Sequence, residues 1–242
     1  MHKKLLFAFM SCLMLYGCAE TASKTPDSSG SKGCDVFEEC ETTVDTPTEE
    51  TVSFKEDYES LNGTENKKGK IHRTITIPET VTFTYTTLSD VIAKLDNKEN
   101  FFLYIGDAKC PWCRAVIETA IAKAEEYGIK EILYVPIWDE DGNELFRDKY
   151  TVNEGIPFHE SDGSNEYMEL LGRFRDVLKD YEIDEVSVGE KRIYAPSFFR
   201  IENGEAVFMT EGIPESLEDP RTEIAEEQYS EMKAYFDNLF KE

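Results

Sequence analysis

Two cysteines, Cys110 and Cys113, enclose the dipeptide Pro-Trp and constrain this chain more than any other feature of its sequence. The apolar run at residues 101–105 precedes them and predicts a buried strand. After them, apolar residues recur at three- and four-residue steps, which predicts a helix that starts at Pro111 and is capped by Gly128. The cysteine pair therefore lies where a strand turns into a helix.

That position favours the thiolate form of Cys110. Pro111 suits the first helical position, because its missing N–H needs no partner there, and Cys110 is then the N-cap. At the N-cap the sulfur faces unpaired backbone N–H groups and the positive end of the helix dipole. Lys109 and Arg114 flank the pair, and we expect their charges to act in the same direction. Cys113 falls on the buried stripe, so an exposed, activated thiol is expected beside a shielded one, which suits thiol–disulfide exchange.

A second informative segment lies far downstream, at residues 195–207, and reads Ala-Pro-Ser-Phe-Phe-Arg-Ile-Glu-Asn-Gly-Glu-Ala-Val. Together with the cysteine pair, it resembles the thioredoxin superfamily, in which a cis-proline opens a strand and an Asn-Gly hairpin follows. Pro196 matches that proline, and Asn203 with Gly204 matches that turn. The resemblance covers residues 73–240 and extends to lipid-anchored extracytoplasmic thioredoxin-like proteins of bacteria, including those called bacteriocin transport accessory proteins.

The resemblance implies an α/β, thioredoxin-like fold with a central mixed β-sheet flanked by helices. It also implies that Cys110 attacks a disulfide, that Cys113 resolves the mixed disulfide, and that three residues contact the substrate, namely Trp112, Ala195 and Pro196. For Trp112 the alternative is partial packing on the loop. Pro196 is expected to be cis and to face the cysteines, where the adjacent backbone can pair with an extended substrate. A trans proline at a strand start is the alternative. No metal and no organic cofactor is implied.

One position departs from the thioredoxin pattern. Thioredoxins carry a buried acid six residues before the first cysteine, and this acid helps to move the proton of the second thiol. Tyr104 occupies that position here, whereas Asp107 is nearer to the cysteines but is expected in the loop. The resolving step is therefore expected to use another base, such as water or Glu118. A specialised partner or a slower exchange is favoured over general disulfide reduction.

The pattern of apolar residues predicts helices and strands before the cysteine pair, and one strand after the helix that follows the pair. Tyr58 and Leu61 indicate a short helix, and residues 71–85 predict strands on either side of Pro78. The sequence Thr-Leu-Ser-Asp at 87–90 predicts a capped helix start. Residues 132–138 predict the strand after the active-site helix. This β-α-β-α-β order implies parallel pairing in the core.

The second half of the chain contains a predicted loop that many thioredoxin-like proteins lack. A polar loop is predicted at 139–164, inserted between the third core strand and the helix before Pro196, either as a substrate lid or as a mere insertion. A hairpin is predicted at 197–211, and residues 224–240 predict the final helix. Between the loop and Pro196, one apolar stripe predicts a helix that carries Met168, Leu171, Phe174, Val177, Leu178 and Tyr181.

The N-terminal residues resemble a bacterial lipoprotein signal. Residues 1–17 combine a basic start with an apolar run that is short for a transmembrane helix. The sequence Leu-Tyr-Gly-Cys at 15–18 resembles a lipobox, in which Cys18 becomes the lipidated first residue of the mature chain. Diacylation would anchor the protein stably to the outer face of the bacterial cell membrane. Ordinary secretion with cleavage elsewhere is the alternative.

Residues 18–52 are rich in Ser, Thr, Asp and Glu and predict a disordered tether before a thioredoxin-like domain at 53–242. The tether carries Cys34 and Cys40, which are expected to form a small loop disulfide outside the cytoplasm. Exchange of this pair with Cys110 and Cys113, or with a partner, is the sharper alternative. A metal site is disfavoured there, because no histidine is nearby.

The charge of the chain bears on its partners. Its 50 acidic and 26 basic residues give a formal net charge of −24. Such a surface repels nucleic acid and anionic headgroups, so a nucleic-acid function is excluded from our expectations. The acidity serves either as a solvated surface or as an attraction for basic substrates.

Two functions therefore remain open. The first is an extracytoplasmic thiol–disulfide oxidoreductase that acts on protein or peptide disulfides and dithiols and is recycled by a membrane or secreted redox partner. The Pro-Trp dipeptide and the helix N-terminus both stabilise the reduced thiolate, which favours an oxidant. The second is an accessory lipoprotein that binds a peptide or a transporter, with Cys110 and Cys113 locked as a disulfide.

Overall fold

The computed structural model describes residues 53–139 and 141–241. The expected signal at 1–17, the lipidation site Cys18 and the tether at 18–52 lie outside the described residues, and so do Cys34 and Cys40. In chain order the elements are α1 (Phe54–Glu59), β1 (Thr82–Tyr85), α2 (Leu88–Asp96), β2 (Phe101–Gly106), α3 (Pro111–Glu126), β3 (Glu131–Pro136), β4 (Lys149–Asn153), β5 (Ile156–Ser161), α4 (Asn165–Arg173), β6 (Lys179–Ile183), β7 (Val186–Arg192), β8 (Ser197–Glu202), β9 (Glu205–Thr210) and α5 (Glu226–Phe240).

A five-stranded mixed sheet with the order β1-β3-β2-β8-β9 forms the centre of the fold. Strands β1, β3 and β2 run parallel, as the β-α-β-α-β order predicts, while β8 pairs antiparallel with β2 and with β9. The hairpin of β8 and β9 turns at Asn203 and Gly204, both at positive φ, as the Asn-Gly signal predicts. The expected α/β class with a central mixed sheet flanked by helices is confirmed.

Helices cover both faces of this sheet. On one face α1, α3 and α5 pack over a cluster that includes Tyr104 and Cys113, and on the other face α2 and α4 pack over a cluster that includes Leu103 and Ile105. Successive side chains of a strand point to opposite faces, so β2 serves both clusters at once. Helix α2 begins with the predicted capping box, in which Thr87 and Asp90 bind each other's backbone N–H groups.

The prediction of strands across residues 71–85 is only partly correct. Of these residues only 82–85 form a strand, and Ile71 makes a single isolated bridge. The backbone N–H groups of Ile75, Thr76 and Ile77 bind side-chain oxygens of Asn62, Glu118 and Glu59 at 3.1, 2.9 and 2.7 Å. These side chains satisfy donors that would otherwise seek a strand partner.

The long helix predicted around the apolar stripe from Met168 to Tyr181 is wrong in its second half. Helix α4 ends at Arg173, and Tyr181 lies on β6, which pairs with β7. The two-residue turn between them, Asp184 and Glu185, has both residues at positive φ, the geometry of a tight hairpin. The stripe still marks four buried residues, namely Leu171, Phe174, Leu178 and Tyr181, but Met168 is 46% exposed.

Two further boundaries differ from the prediction. The expected polar loop at 139–164 contains the hairpin of β4 and β5, with a bridge between Trp138 and Glu144 before it. The final helix begins at Glu226, so Ile224 packs into the core from the preceding loop. No helix within the described part of the chain is long and apolar enough to cross a membrane.

Candidate active site

Cys110 is the N-cap of α3, as the sequence predicts. Pro111 occupies the first turn, and the backbone N–H of Cys113 donates to the Cys110 sulfur at 3.3 Å. Cys113 lies one turn into the helix with no solvent exposure, and both cysteines are free thiols in the structure. The helix thus presents its unpaired N–H groups to one sulfur and buries the other.

The two thiols have opposite acidities. Burial, the largest single effect, disfavours ionisation of Cys110, but hydrogen bonds from the Cys113 thiol and from the N–H groups of Cys113 and Trp112 outweigh it and lower the pKa of Cys110. Burial raises the pKa of Cys113 well above its ordinary value, and the adjacent Cys110 acts in the same direction. Cys110 is therefore the thiol of the pair that ionises more readily, and Cys113 holds its proton more tightly.

The peptide bond between Ala195 and Pro196 is cis, as the resemblance implies. The Cys110 thiol donates to the carbonyl oxygen of Ala195 at 3.5 Å. Sheet register explains the approach, because Ile105 at the end of β2 pairs with Ser197 at the start of β8. The Ala195 N–H donates no hydrogen bond to any of the residues that the structure describes. A backbone donor is thus left open beside Cys110.

A groove of about 340 Å³ begins at Trp112 and Ala195. Strand β6 supplies one wall, and residues after β9 supply the other. The walls are joined by the ion pair of Lys179 with Glu211 at 2.7 Å. The groove is lined by Trp112, Lys179, Asp180, Glu182, Tyr194, Ala195, Glu211 and Ile213. Trp112 and Ala195 are thus brought together with Cys110, as expected for substrate contacts.

Two expectations about the cysteine environment are wrong. Cys110 is only 4% exposed rather than open to solvent, because the segment around Ala195 lies against it. Arg114 does not direct its charge at the sulfur: its guanidinium is fully buried and donates to the backbone carbonyls of Tyr58, Ala108 and Arg73. A pattern of flanking charges does not reveal where a long side chain ends.

Asp107 is a site residue that the sequence placed only in a loop. Its side chain is buried and accepts hydrogen bonds from the N–H groups of Lys109 at 2.8 Å and Trp138 at 3.3 Å. Burial raises the pKa of Asp107 to about 6, although these two hydrogen bonds oppose the shift. Its backbone N–H binds the Cys113 sulfur. Glu118, the base considered from the sequence, accepts instead from the N–H of Thr76.

Arg147, from the segment predicted as a loop, is a second residue that sequence reasoning missed. It is partly buried, with 10% of its side chain exposed, and is paired with Glu144. Burial opposes its charge, but Glu144, Tyr167 and Cys110 together raise the pKa of Arg147. The attraction is mutual, so Arg147 favours the Cys110 thiolate. Sequence periodicity does not identify Arg147, because its position near Cys110 depends on the tertiary packing of the segment that was predicted as a loop.

Tyr104 lies on β2, six residues before Cys110, where the resemblance predicts an acid. Its hydroxyl lies 2.6 Å from the hydroxyl of Tyr58, and its interaction with the Cys113 thiol acts to lower the pKa of Cys113. Tyr58 belongs to α1, which the sequence predicted only as a short helix without a role in the site. The position of Tyr104, six residues before Cys110, is the sequence signal that pointed to this contact.

No group of three or more histidine, cysteine or acidic side chains suited to a metal ion occurs in residues 53–139 and 141–241. No protein-family model matches this chain. No curated protein matches it either. The functional conclusion therefore rests on the geometry around Cys110, Cys113 and Ala195.

Proposed function

We propose that this protein is an extracytoplasmic thiol–disulfide oxidoreductase with a thioredoxin-like fold. The observation that carries the proposal is the difference between the two sulfurs: Cys110 has a lowered pKa at a helix N-cap, and Cys113 is buried with a raised pKa. Such a pair suits nucleophilic attack followed by resolution. A purely structural disulfide has no need of this asymmetry.

The arrangement of elements supports the thioredoxin-like assignment. The cysteine pair begins the helix after the central strand β2, and the cis bond before Pro196 precedes the neighbouring strand β8. The hairpin of β8 and β9 and the final helix α5 then complete the order that the resemblance implies. The hairpins β4–β5 and β6–β7 are additions to this frame, and β6 borders the groove at Trp112.

In the reducing direction the Cys110 thiolate attacks one sulfur of a substrate disulfide. The substrate S–S bond breaks, the electron pair leaves on the other substrate sulfur, and that thiolate takes up a proton. Cys113 then gives up its proton to a base and attacks the Cys110 sulfur. The bond from Cys110 to the substrate breaks, the second substrate thiolate leaves, and Cys110 and Cys113 are joined by a disulfide. Two electrons pass to the substrate, and the oxidising direction is the reverse.

Asp107 is the base that fits the resolving step. Its pKa of about 6 lets the carboxylate accept a proton near neutral pH and return it to a departing thiolate. Its charge acts on the Cys110 thiol and its backbone N–H on the Cys113 thiol, since each is among the causes that shift the pKa of that cysteine. The hydrogen bond from the Trp138 N–H holds the carboxylate in place.

The substrate class is a polypeptide with a disulfide or a pair of thiols. The open N–H of Ala195 can pair with an extended substrate backbone next to Pro196. The groove beside Trp112, with a volume of about 340 Å³, can receive a side chain that flanks the reacting cysteine. The mechanism involves no metal or organic cofactor, and a membrane or secreted redox partner is proposed to restore the pair after each turnover.

The proposed location follows from the N-terminal sequence. Removal of residues 1–17 and lipidation of Cys18 would fix the chain to the outer face of the cell membrane, with residues 18–52 as a tether. A disulfide between Cys34 and Cys40 belongs to the same proposal. Metabolic labelling with a palmitate analogue, compared between the wild type and C18A, tests the anchor directly.

The reduction potential of the pair tests the proposed activity. The full-length chain with Cys12, Cys18, Cys34 and Cys40 replaced by serine is equilibrated in graded glutathione or dithiothreitol buffers. The fluorescence of Trp112 is expected to report one reversible two-electron transition between about −270 and −120 mV. A potential below roughly −300 mV is typical of a structural bridge and would overturn the proposal.

A second candidate function, a binding module with an inactive cysteine pair, is favoured by one observation. Cys110 is only 4% exposed, so a large substrate reaches it only after the segment around Ala195 gives way. A partner captured equally well by the wild type and by the double variant C110A/C113A would support the binding module. A partner that is captured only when Cys110 is present, and that C113S traps as a mixed disulfide, would support the enzymatic function.

A further inference from the structure

The phenol of Tyr104 is held in one position by its neighbours. Its ring stacks on Tyr134 at 5.2 Å and on Phe198 at 4.3 Å, the cross-strand partners of Tyr104 on β3 and β8. A Cβ atom on Gly106 would lie 2.3 Å from the Tyr104 hydroxyl oxygen, so only glycine leaves room for the phenol there. The hydroxyl is therefore directed along the end of β2 towards α3, where Cys113 lies.

The hydroxyl of Tyr104 connects two other groups. It lies 2.6 Å from the Tyr58 hydroxyl, in the buried cluster that also contains Cys113. Its interaction with the Cys113 thiol acts to lower the pKa of Cys113, against the larger effect of burial. All three side chains have no solvent exposure, so no water competes for these interactions. Each hydroxyl carries one proton. When Tyr104 donates to the Cys113 sulfur, Tyr58 must therefore donate to Tyr104, which gives the chain of donors a fixed direction.

The helix that carries Tyr58 is bound to the active-site helix by Arg114. The Arg114 Nη1 donates to the carbonyl of Tyr58 at 2.8 Å, and its Nε donates to the carbonyl of Arg73 at 3.0 Å. Its guanidinium also reaches the side chain of Asn62 at 2.5 Å. Arg114 directly follows Cys113, so the segment from Tyr58 to Arg73 is fastened to the helix turn that holds the second thiol.

We propose that Tyr58 and Tyr104 are positioning residues that stabilise the Cys113 thiolate during the resolving step, so that the N-terminal segment around α1 is part of the redox site. The inference rests on the proposed function, because it concerns that reaction. Burial raises the pKa of Tyr104 well above its ordinary value, so the phenol stays neutral and acts as a donor. Tyr104 thus differs from a buried acid in its effect. It stabilises the Cys113 thiolate as a hydrogen-bond donor but does not accept the proton of the Cys113 thiol.

The step is balanced as follows. The S–H bond of Cys113 breaks, and its proton passes to the Asp107 carboxylate. The Cys113 sulfur, held by the Tyr104 O–H, forms a bond to the Cys110 sulfur. The bond between Cys110 and the substrate sulfur breaks, and the electron pair leaves on the substrate thiolate, which takes the proton back from Asp107. The Tyr104 hydroxyl keeps its own proton throughout, and Tyr58 strengthens it as a donor.

A single-turnover experiment tests the proposal without a protein substrate. The full-length chain with the four other cysteines replaced by serine is converted to a Cys110 mixed disulfide with thionitrobenzoate. Attack by Cys113 releases the coloured thiolate, and the release rate is followed against pH. In Y104F the midpoint of this profile is expected to shift to higher pH, with release at neutral pH slower by about tenfold or more. A smaller shift in the same direction is expected for Y58F.

Y134F is the matched control, because it removes a phenol hydroxyl from the same buried stack while leaving the Tyr58–Tyr104 hydroxyl contact in place. Its profile is expected to coincide with that of the wild type. A Y104F profile equal to that of the wild type, or slowed by one factor at every pH, would overturn the proposal. The second result would mean a merely structural role.

A titration of Cys113 separates failure of the inference from failure of the proposed function. In a C110S background, NMR of isotope-labelled cysteine reports the Cys113 pKa with no redox step. Y104F is expected to raise this pKa by about one unit, a tenfold change in acidity, whereas Y134F leaves it unchanged. If the wild type never releases thionitrobenzoate, the proposed function fails. An equal Cys113 pKa in C110S and C110S/Y104F overturns the hydrogen-bond chain itself.

Discussion

The Cys110 sulfur lies 3.5 Å from the carbonyl oxygen of Ala195, which is 85 residues further along the chain. This one contact joins the two segments on which the site depends, the turn after β2 and the turn before β8. The antiparallel pairing of these strands brings their ends together at one edge of the sheet. Cys110 is therefore positioned by the sheet as well as by its own helix.

Replacing Cys113 tests the source of the Cys110 acidity. Burial disfavours the Cys110 thiolate, and the Cys113 thiol is the strongest of the donors that oppose this effect. C113A is expected to raise the pKa of Cys110 by about one unit, because the thiolate then loses a hydrogen bond without gaining solvent. The rate of alkylation by iodoacetamide against pH measures this pKa.

The variant C113S is the control for that experiment, since its hydroxyl can still donate to the Cys110 sulfur. Its Cys110 pKa is expected to lie between those of the wild type and C113A. A Cys110 pKa that is the same in all three proteins would show that the helix N-terminus alone sets the acidity.

The features of the site that depend on local sequence could be predicted, and those that depend on packing could not. The N-cap position of Cys110 follows from Pro111 and the apolar spacing, and the cis bond before Pro196 follows from the resemblance. The burial of Cys110 does not follow, because Ala195 reaches it through strand pairing. Asp107 was visible as an acid after the central strand, but its burial and raised pKa depend on the segment around Trp138.

The wrong helix boundary has a similar origin. Phe174, Val177, Leu178 and Tyr181 fit a helical spacing and are largely buried. Burial alone does not distinguish a helix from a turn followed by a strand when the apolar run is short. The turn at Asp184 and Glu185 lacks the glycine that normally marks a tight hairpin, so the sequence gives little warning of β6 and β7.

Trp112 is expected to act on large substrates only. It lines the groove next to Ala195 but supplies its backbone N–H, not its indole, to the Cys110 sulfur. W112A should therefore lower kcat/KM for a polypeptide disulfide such as insulin by about tenfold, through lost aromatic contact. Reaction with a small aromatic disulfide should change by less than about twofold. An equal loss of kcat/KM with both substrates would mean that Trp112 affects the reactivity of Cys110 itself rather than the binding of a polypeptide.

Two glycines at the same φ of +77° offer a matched test of the turn between β8 and β9. A Cβ on Gly204 would lie 2.1 Å from the carbonyl oxygen of Leu95, whereas a Cβ on Gly155 would meet nothing within 4 Å. G155A should lower the free energy of unfolding by about 1 kcal/mol through the positive φ alone. G204A should cost roughly 3 kcal/mol or more, because backbone must also move. Urea unfolding measures both, and equal losses would contradict the close approach to α2.

Asp107 is expected to make the fold less stable at neutral pH than in mild acid. Its folded pKa of about 6 lies above the value of about 3.9 for a free aspartate, so folding favours the protonated form. Its contribution is fully present below pH of about 4 and is lost as the pH rises through 6. D107N cannot ionise and so does not lose this contribution; it should be more stable than the wild type by roughly 2 to 3 kcal/mol near pH 8. Urea unfolding across this pH range measures the difference.

The same substitution should slow the resolving step, because an amide cannot accept the proton of Cys113. Release of thionitrobenzoate from the Cys110 mixed disulfide should fall by about tenfold or more near neutral pH in D107N. Alkylation of Cys110 should be no slower than in the wild type, because the Asp107 charge disfavours the Cys110 thiolate. If D107N is more stable but resolves more slowly, the charged Asp107 lowers the free energy of unfolding and is nevertheless needed for the resolving step. If D107N is more stable but resolves at the wild-type rate, the burial of Asp107 is confirmed and its role as the base is refuted.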